Sequence, residues 1–460
     1  MQSNSRERLL NTATVALGAL VLSSHALYNG FPFVYPDTGT YVAACLDHFI
    51  PKDRPLTYSF FLRHLSLKET LWIPFFVQCI LMSWLVFMAF RHFTSVKKIR
   101  PWHLSTVVVL AFTTGLAAVT GLLIPDLFTA VTVLTGALLL FGERISRRMR
   151  IFLILLMAYA TTTHLSHYPL VCALTATLVV VWFFRRKQEG AAVFLKRTAA
   201  IALTVPIAIA MTLLTNYSVG HRWQFSPGSS HVFMMNRLIQ CGIVNDYLDK
   251  SCSTRHSTLC DHRPVIGQDF LWDSNSPINA QYGWDGWDDA KPEYDSIISD
   301  ILTQPDYFWR YAGANVRDAS IQLYTFDVWP MVPLNGGASY DVIRAHFPND
   351  HAQYVRSLQS QGKVSYAAID VAQKMVVALS ALALAALLLL RRFRNRMPVL
   401  RPLVLWTAAS MIFNAATVVS FAMIDSRYQL RLVWILPLLL LCCIAHLVSG
   451  QNTSVRDTPR

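Results

Sequence analysis

The sequence predicts an all-α polytopic membrane protein with about ten transmembrane helices and an outer-face α or α+β loop domain of roughly 150 residues. Three observations carry this expectation. Of 460 residues 53% are hydrophobic and only 15% charged, whereas soluble domains carry about 25% charged residues. The apolar residues gather in continuous blocks of about 20, enough to cross roughly 30 Å of hydrocarbon. At that depth only helices or closed barrels satisfy their backbone polar groups. Barrel strands would alternate apolar and polar residues, and these blocks do not. The third observation is where the charge lies. A net charge of +13 would suit nucleic acid. The basic residues instead flank apolar blocks and form no single surface, so no nucleic-acid partner is expected.

Taken in order, the blocks place spans at 9–29, 71–90, 104–124, 126–142, 151–166, 168–184, 198–217, 371–390, 402–424 and 429–449. The pairs around Pro125 and from His164 to Pro169 are tight, but each pair is too long to be one broken helix. Basic clusters fill alternate loops: Arg91, Lys97, Lys98 and Arg100; Arg144, Arg147, Arg148 and Arg150; Arg185, Arg186, Lys187, Lys196 and Arg197. A fourth cluster of five arginines lies between 391 and 401. All four share a face with Arg6 and Arg8, and this positive-inside pattern makes that face and both termini cytoplasmic. The expected location is a bacterial inner (cytoplasmic) membrane. No small-x-small cleavage pattern follows Ala26, so the first span reads as an uncleaved signal anchor. Residues 1–217 then form an N-terminal membrane domain of about seven spans, 218–370 an outer domain, and 371–460 a C-terminal membrane domain of about three spans.

The large outer segment is acidic, with 17 Asp plus Glu against 11 Lys plus Arg from 220 to 370. Its run Tyr282-Gly-Trp284-Asp285-Gly-Trp287-Asp288-Asp289 suits stacking on sugar rings. Trp and Tyr also concentrate at membrane interfaces, so interfacial packing explains the run equally well. Cys45, Cys241, Cys252 and Cys260 fall on the outer face; they allow three full pairings, a Cys252–Cys260 bridge among the options.

Candidate chemistry gathers on the outer face. The first outer segment, from about 30 to 70, carries Tyr35-Pro36-Asp37-Thr38-Gly39-Thr40-Tyr41 and then Asp53-Arg54-Pro55-Leu56-Thr57-Tyr58. Pro36 and Pro55 read as starts of short amphipathic helices lying on the bilayer. Asp37 is a candidate general base, or alternatively the N-cap of a helix beginning at Thr38. Asp126 sits in a very short turn beside hydrocarbon, where an ionisable group is costly and by default functional. Capping of the fourth span is its plain alternative. Arg427 and Arg431 stand on the outer side against the positive-inside trend; they suit phosphate contact, or snorkelling to the interface. Arg54 is a further phosphate candidate. His164 and His167, three apart in a tight turn, suit donation to phosphate or acceptor, or a hydrogen-bonded turn. They could also offer two ligands to a divalent metal, but a third is missing from the local sequence. No cofactor is otherwise called for.

Here the chain resembles the GT-C superfamily of multi-spanning glycosyltransferases, which includes the protein O-mannosyltransferases and the lipid A aminoarabinose transferases. Many bacterial members place an Asp-x-x-x-Tyr element after the first span and an Arg-Pro-x-x-Tyr element after that, matched by Asp37 to Tyr41 and Arg54 to Tyr58. A second acid in the next outer turn is matched by Asp126, and an Arg-Tyr pair near the last outer loop by Arg427-Tyr428. The first element is Asp-Thr where several members have Asp-Glu, and the large loop follows the seventh span. The resemblance implies an inverting transfer of sugar from a polyprenyl-phosphate donor to a glycan, lipid or protein acceptor. Asp37 and Asp126 would then be catalytic, with Arg54, Tyr58, His164, His167, Arg427, Tyr428 and Arg431 binding substrate and phosphate. Two other readings remain open: an O-antigen-type glycan polymerase or ligase using a diphosphate-linked donor, and a transporter. A transporter would carry charge deep in its spans or two related halves. Neither is evident in the sequence.

Overall fold

The computed structural model describes residues 2–454 apart from 226–227, 255–256, 268–269, 285 and 329–333; side chains at 2–4, 392–394 and 450–454 are also left aside. Asp285 of the Trp-rich run therefore lies outside the described residues. Every element among the described residues is helical. Among the described residues one bridge, Phe33 to Leu122, joins the segment after Asn29 to the end of helix Leu116–Gly121.

Among the described residues six helices are long and apolar enough to cross a membrane: Trp72–Phe93, His167–Arg185, Ala191–Gly220, Ala367–Leu389, Leu400–Phe421 and Ser426–Ser449. Their outer faces fit lipid better than water. Along Ala367–Leu389 the residues Val371, Met375, Leu379 and Leu382 are 61%, 58%, 61% and 69% exposed at helical spacing, an apolar stripe that a soluble surface rarely carries. By length and composition these helices are compatible with a polytopic membrane protein.

The remaining apolar blocks are helical but shorter or interrupted. Residues 9–29 form Gln2–Leu22 and Ser24–Asn29, parted at Ser23. Residues 126–142 and 151–166 correspond to Leu127–Phe141 and Arg147–Thr162. The block 104–124 breaks into Ile99–Thr113 and Leu116–Gly121. At the break Gln373 Oε1 accepts the Gly115 N–H at 2.7 Å, so this amide leaves the helical ladder without being orphaned.

The long stretch from 220 to 370 feeds two cores. Val232 to Tyr307 surround one apolar cluster of their own, with the Cys252–Cys260 disulfide beside it. Cys45 and Cys241 are free thiols. From Phe326 to Tyr366 the chain returns to the main core among the long helices. Trp287 is buried and donates its indole N–H to Asn279 Oδ1 at 3.0 Å. Trp272 and Trp284 are each 48% exposed with their rings stacked.

The two short helices after the first block begin at Pro36 and Thr57, beside the two prolines. Helix Pro36–Leu46 does not lie open on a surface. It is packed between Thr57–Ser66 and Ala338–His346, with Thr38, Gly39, Tyr41, Val42, Ala43, Ala44 and Cys45 buried. The returning segment that carries Ala338–His346 covers it.

Candidate active site

Helix Pro36–Leu46 starts with proline in its first turn, where a missing N–H costs nothing. The Tyr35 N–H donates to Thr38 Oγ1 at 2.9 Å, closing the first turn. Asp37 therefore sits inside that turn and is not its cap. Two clamps, from Ser339 and Gln359, fix this start. Ser339 Oγ accepts the Gly39 N–H and donates to the Pro36 carbonyl, both at 2.7 Å. A Cβ on Gly39 would lie 2.6 Å from Ser339 Cα, so only glycine admits this approach. One strand-like turn earlier, the Gln359 amide accepts the Val34 N–H at 3.0 Å and donates to the Val34 carbonyl at 2.6 Å.

The clamped helix holds Asp37 between two arginines. Its Oδ1 is 3.0 Å from Arg54 Nη1 and its Oδ2 is 3.1 Å from Arg427 Nη1. Arg54 also donates from Nε to Asp53 Oδ1 at 3.0 Å. Arg427 Nε lies 3.3 Å from Asp126 Oδ2, and Arg431 Nη1 lies 3.1 Å from Asp126 Oδ1. The result is an alternating chain of charges: Asp53, Arg54, Asp37, Arg427, Asp126, Arg431. It joins residues up to 390 positions apart.

Helix Ser426–Val433 supplies the last two arginines on one face, four residues apart. Asp425 caps it, accepting the Arg427 N–H at 2.9 Å. Gln322 holds that cap with a two-way amide bond to the Asp425 backbone, at 2.8 and 2.9 Å. Aromatic rings lie against the guanidiniums: Tyr35 and Tyr428 are 4.7 and 5.1 Å from Arg427, Tyr41 is 5.4 Å from Arg54, and Tyr428 is 5.3 Å from Arg431.

Exposure is graded along the chain. Side-chain exposure is 26% for Asp37, 10% for Arg54, 12% for Arg427, 2% for Asp126 and 0% for Arg431. Asp37, inside the chain of charges, is its most exposed member, and exposure falls from it toward Arg431. Burial pushes its carboxyl up, but the Arg54 and Arg427 guanidiniums outweigh this and hold it below the usual carboxylate range. Burial instead dominates at Asp425, whose carboxyl is raised despite the nearby Arg427.

Several expectations are corrected here. Asp126 occupies the N-cap position of Leu127–Phe141 but makes no side-chain cap hydrogen bond; its carboxylate is taken by the two arginines. Arg427 and Arg431 turn inward to these acids, so neither snorkels. His167 is fully buried with both ring nitrogens used, Nδ1 on the Ala160 carbonyl and Nε2 on Thr129 Oγ1, each at 2.7 Å. It ties three helices together and has no nitrogen left for phosphate, acceptor or metal. Tyr58 is likewise core: fully buried, it donates to Gln78 Oε1 at 2.7 Å. His164 stays near the cluster. Its Nδ1 is 2.8 Å from Ser166 Oγ, and Ser166 Oγ also accepts from Arg431 Nη2 at 3.4 Å.

The sequence reading missed Asn414, which accepts from Arg431 Nη2 at 2.7 Å and donates to the Tyr428 carbonyl at 2.7 Å. A lone amide in the expected span 402–424 was the available signal. Asp53, Ser166, Gln322 and Ser339 were also missed. Among the described residues no three His, Cys, Asp or Glu side chains gather as metal ligands would. No family model, no curated protein and no solved structure matches the chain.

Proposed function

We propose that this chain is a membrane glycosyltransferase, GT-C-like and inverting, that moves a sugar from a polyprenyl-phosphate donor to an acceptor on the outer face of a bacterial inner membrane. The observation that carries this reading is the accessible Asp37 carboxylate between Arg54 and Arg427. Inverting transfer needs a base on the acceptor and cations on the leaving phosphate. In this reading the acceptor hydroxyl or amine attacks the anomeric carbon and passes its proton to Asp37. The bond from that carbon to the phosphate oxygen breaks, and its electron pair leaves on the phosphate, held by Arg54 and Arg427. Asp126 and Arg431 are too buried to meet substrate and serve as scaffold. Tyr428 orients both nearby guanidiniums.

The test is transfer of labelled sugar from a polyprenyl-phosphate donor to endogenous acceptor in membranes containing the protein. Label should move from the monophosphate donor. Transfer only from a diphosphate-linked oligosaccharide would instead establish the polymerase or ligase reading, and transfer from neither would overturn both enzymatic readings.

The topology we propose has ten spans, with the short helices completing the count and 220–370 outside. Ser274 and Ser146 are both exposed and lie on opposite expected faces. A cysteine placed at Ser274 should react with a membrane-impermeant reagent on intact cells, and one at Ser146 should not. The reverse pattern would refute the orientation.

A further inference from the structure

We propose that Asp37 occupies the phosphate seat of its own site: in the empty protein its carboxylate pairs with the two guanidiniums that a phosphate monoester takes over on binding, so the ligand itself frees Asp37. The identity of that ligand rests on the glycosyltransferase reading above.

The argument starts from an asymmetry among the carboxylates. Each of the two arginines has a second acid of its own. Arg54 keeps Asp53, through Nε at 3.0 Å, and Arg427 keeps Asp126 at 3.3 Å. Removing Asp37 therefore strands neither cation. Asp37 is shared between them, one oxygen on each, and it is the most exposed of the three acids, at 26% against 15% for Asp53 and 2% for Asp126. It is the one a solute can reach and replace.

The positions of the guanidiniums do not depend on Asp37 either. Tyr41 lies against Arg54, and Tyr35 and Tyr428 flank Arg427. Two oxygens of a phosphate present the same paired acceptors as a carboxylate, and Arg binds both by the same forked geometry. A monoester carries about −1.5 to −2 charge near neutral pH, so it is the stronger partner for two cations.

The exchange links binding to chemistry. While paired, Asp37 is a weak proton acceptor. Once phosphate neutralises both arginines, the freed carboxylate gains proton affinity beside the sugar it must help transfer. Self-pairing also lowers the apparent affinity of the wild type, because only the unpaired fraction is competent to bind. When the sugar has gone, return of Asp37 to the arginines would help expel the lipid phosphate.

The test measures binding, not turnover. Purified full-length protein in lipid nanodiscs is titrated with farnesyl phosphate, inorganic phosphate and farnesol, using wild type, Asp37→Asn, Asp37→Ala and Asp47→Asn. Asp47 follows the same helix and is 48% exposed, so its variant carries the same charge change away from the arginines. Both Asp37 variants should bind farnesyl phosphate at least about tenfold more tightly than wild type, and Asp47→Asn should bind like wild type. Wild-type binding of farnesyl phosphate with no gain in either Asp37 variant overturns the masking and leaves the glycosyltransferase reading intact. An equal gain in Asp47→Asn also overturns it, since bulk charge would then explain the effect. Gains as large for inorganic phosphate support masking with free phosphate as the source. Farnesol binding as tight as farnesyl phosphate, or no binding by any protein, overturns the inference and the donor assignment together.

Discussion

Asp37→Asn is expected to fold and insert normally while sugar transfer falls by about 10²–10⁴-fold, the usual contribution of a positioned general base. Asparagine keeps the shape of the side chain and removes the basic oxygen. A capping role cannot account for such a loss, because Asp37 lies within the first turn of Pro36–Leu46 and Tyr35 holds the cap position. Nor would the variant bury an unpaired cation, since Asp53 remains with Arg54 and Asp126 with Arg427. The measurement is labelled transfer in membranes at matched protein level, alongside the melting temperature of the purified protein. Near-normal transfer would remove Asp37 as the base. The wild-type pH profile gives a second check. A base must be ionised, so activity falls as pH drops through its pKa. In the free protein Arg54 and Arg427 outweigh burial and hold Asp37 below the usual carboxylate range, which places the acid limb of kcat/KM low. The acid limb of kcat reports the donor-bound state and should lie higher, because bound phosphate neutralises those arginines.

The charged part of this site was legible because charge is expensive next to hydrocarbon. Asp37, Asp126, Arg427 and Arg431 each stood near the end of an apolar block, on the side expected to face outward, and the structure brings all four into one network. The neutral parts were harder to see. Asn414, Ser339 and Gln322 each act on a residue far along the chain, and nothing in their local sequence reports the partner. The histidine pair shows the same limit: its spacing suits a binding turn or a hydrogen-bonded one, and the groups that satisfy His167 come from other helices. Apolar periodicity located the helices but not their interruptions. The amide freed at the break, the Gly115 N–H, finds its acceptor on Gln373, 258 positions away. Likewise, the composition of 220–370 described one outer unit, whereas the fold divides that stretch between two cores because its second part packs onto the helix that carries Asp37.

Arg431→Met should cost about 3–5 kcal/mol of stability, the penalty for removing one partner of a buried ion pair. Arg431 is fully buried, and its loss leaves three groups short of a partner. Asp126 keeps only Arg427, at 3.3 Å; Asn414 Oδ1 loses its 2.7 Å donor; Ser166 Oγ loses its contact at 3.4 Å. Methionine fills much of the volume but supplies no donor, so the cost is electrostatic and not a cavity. Yield of folded protein and melting temperature in detergent should both fall, without any requirement that Arg431 touch substrate. The double variant Asp126→Leu with Arg431→Met separates the two roles of this pair. Replacing both charges with apolar groups removes the stranded carboxylate, and such replacements are often neutral or stabilising. Melting temperature should therefore recover. Transfer should not recover, because Arg427 loses the acid that anchors it when Asp37 gives way to phosphate. A single variant as stable as wild type would show that the buried pair does not hold these helices together. A double variant with restored transfer would show that Arg427 needs no anchor, and would move Asp126 out of the functional site altogether.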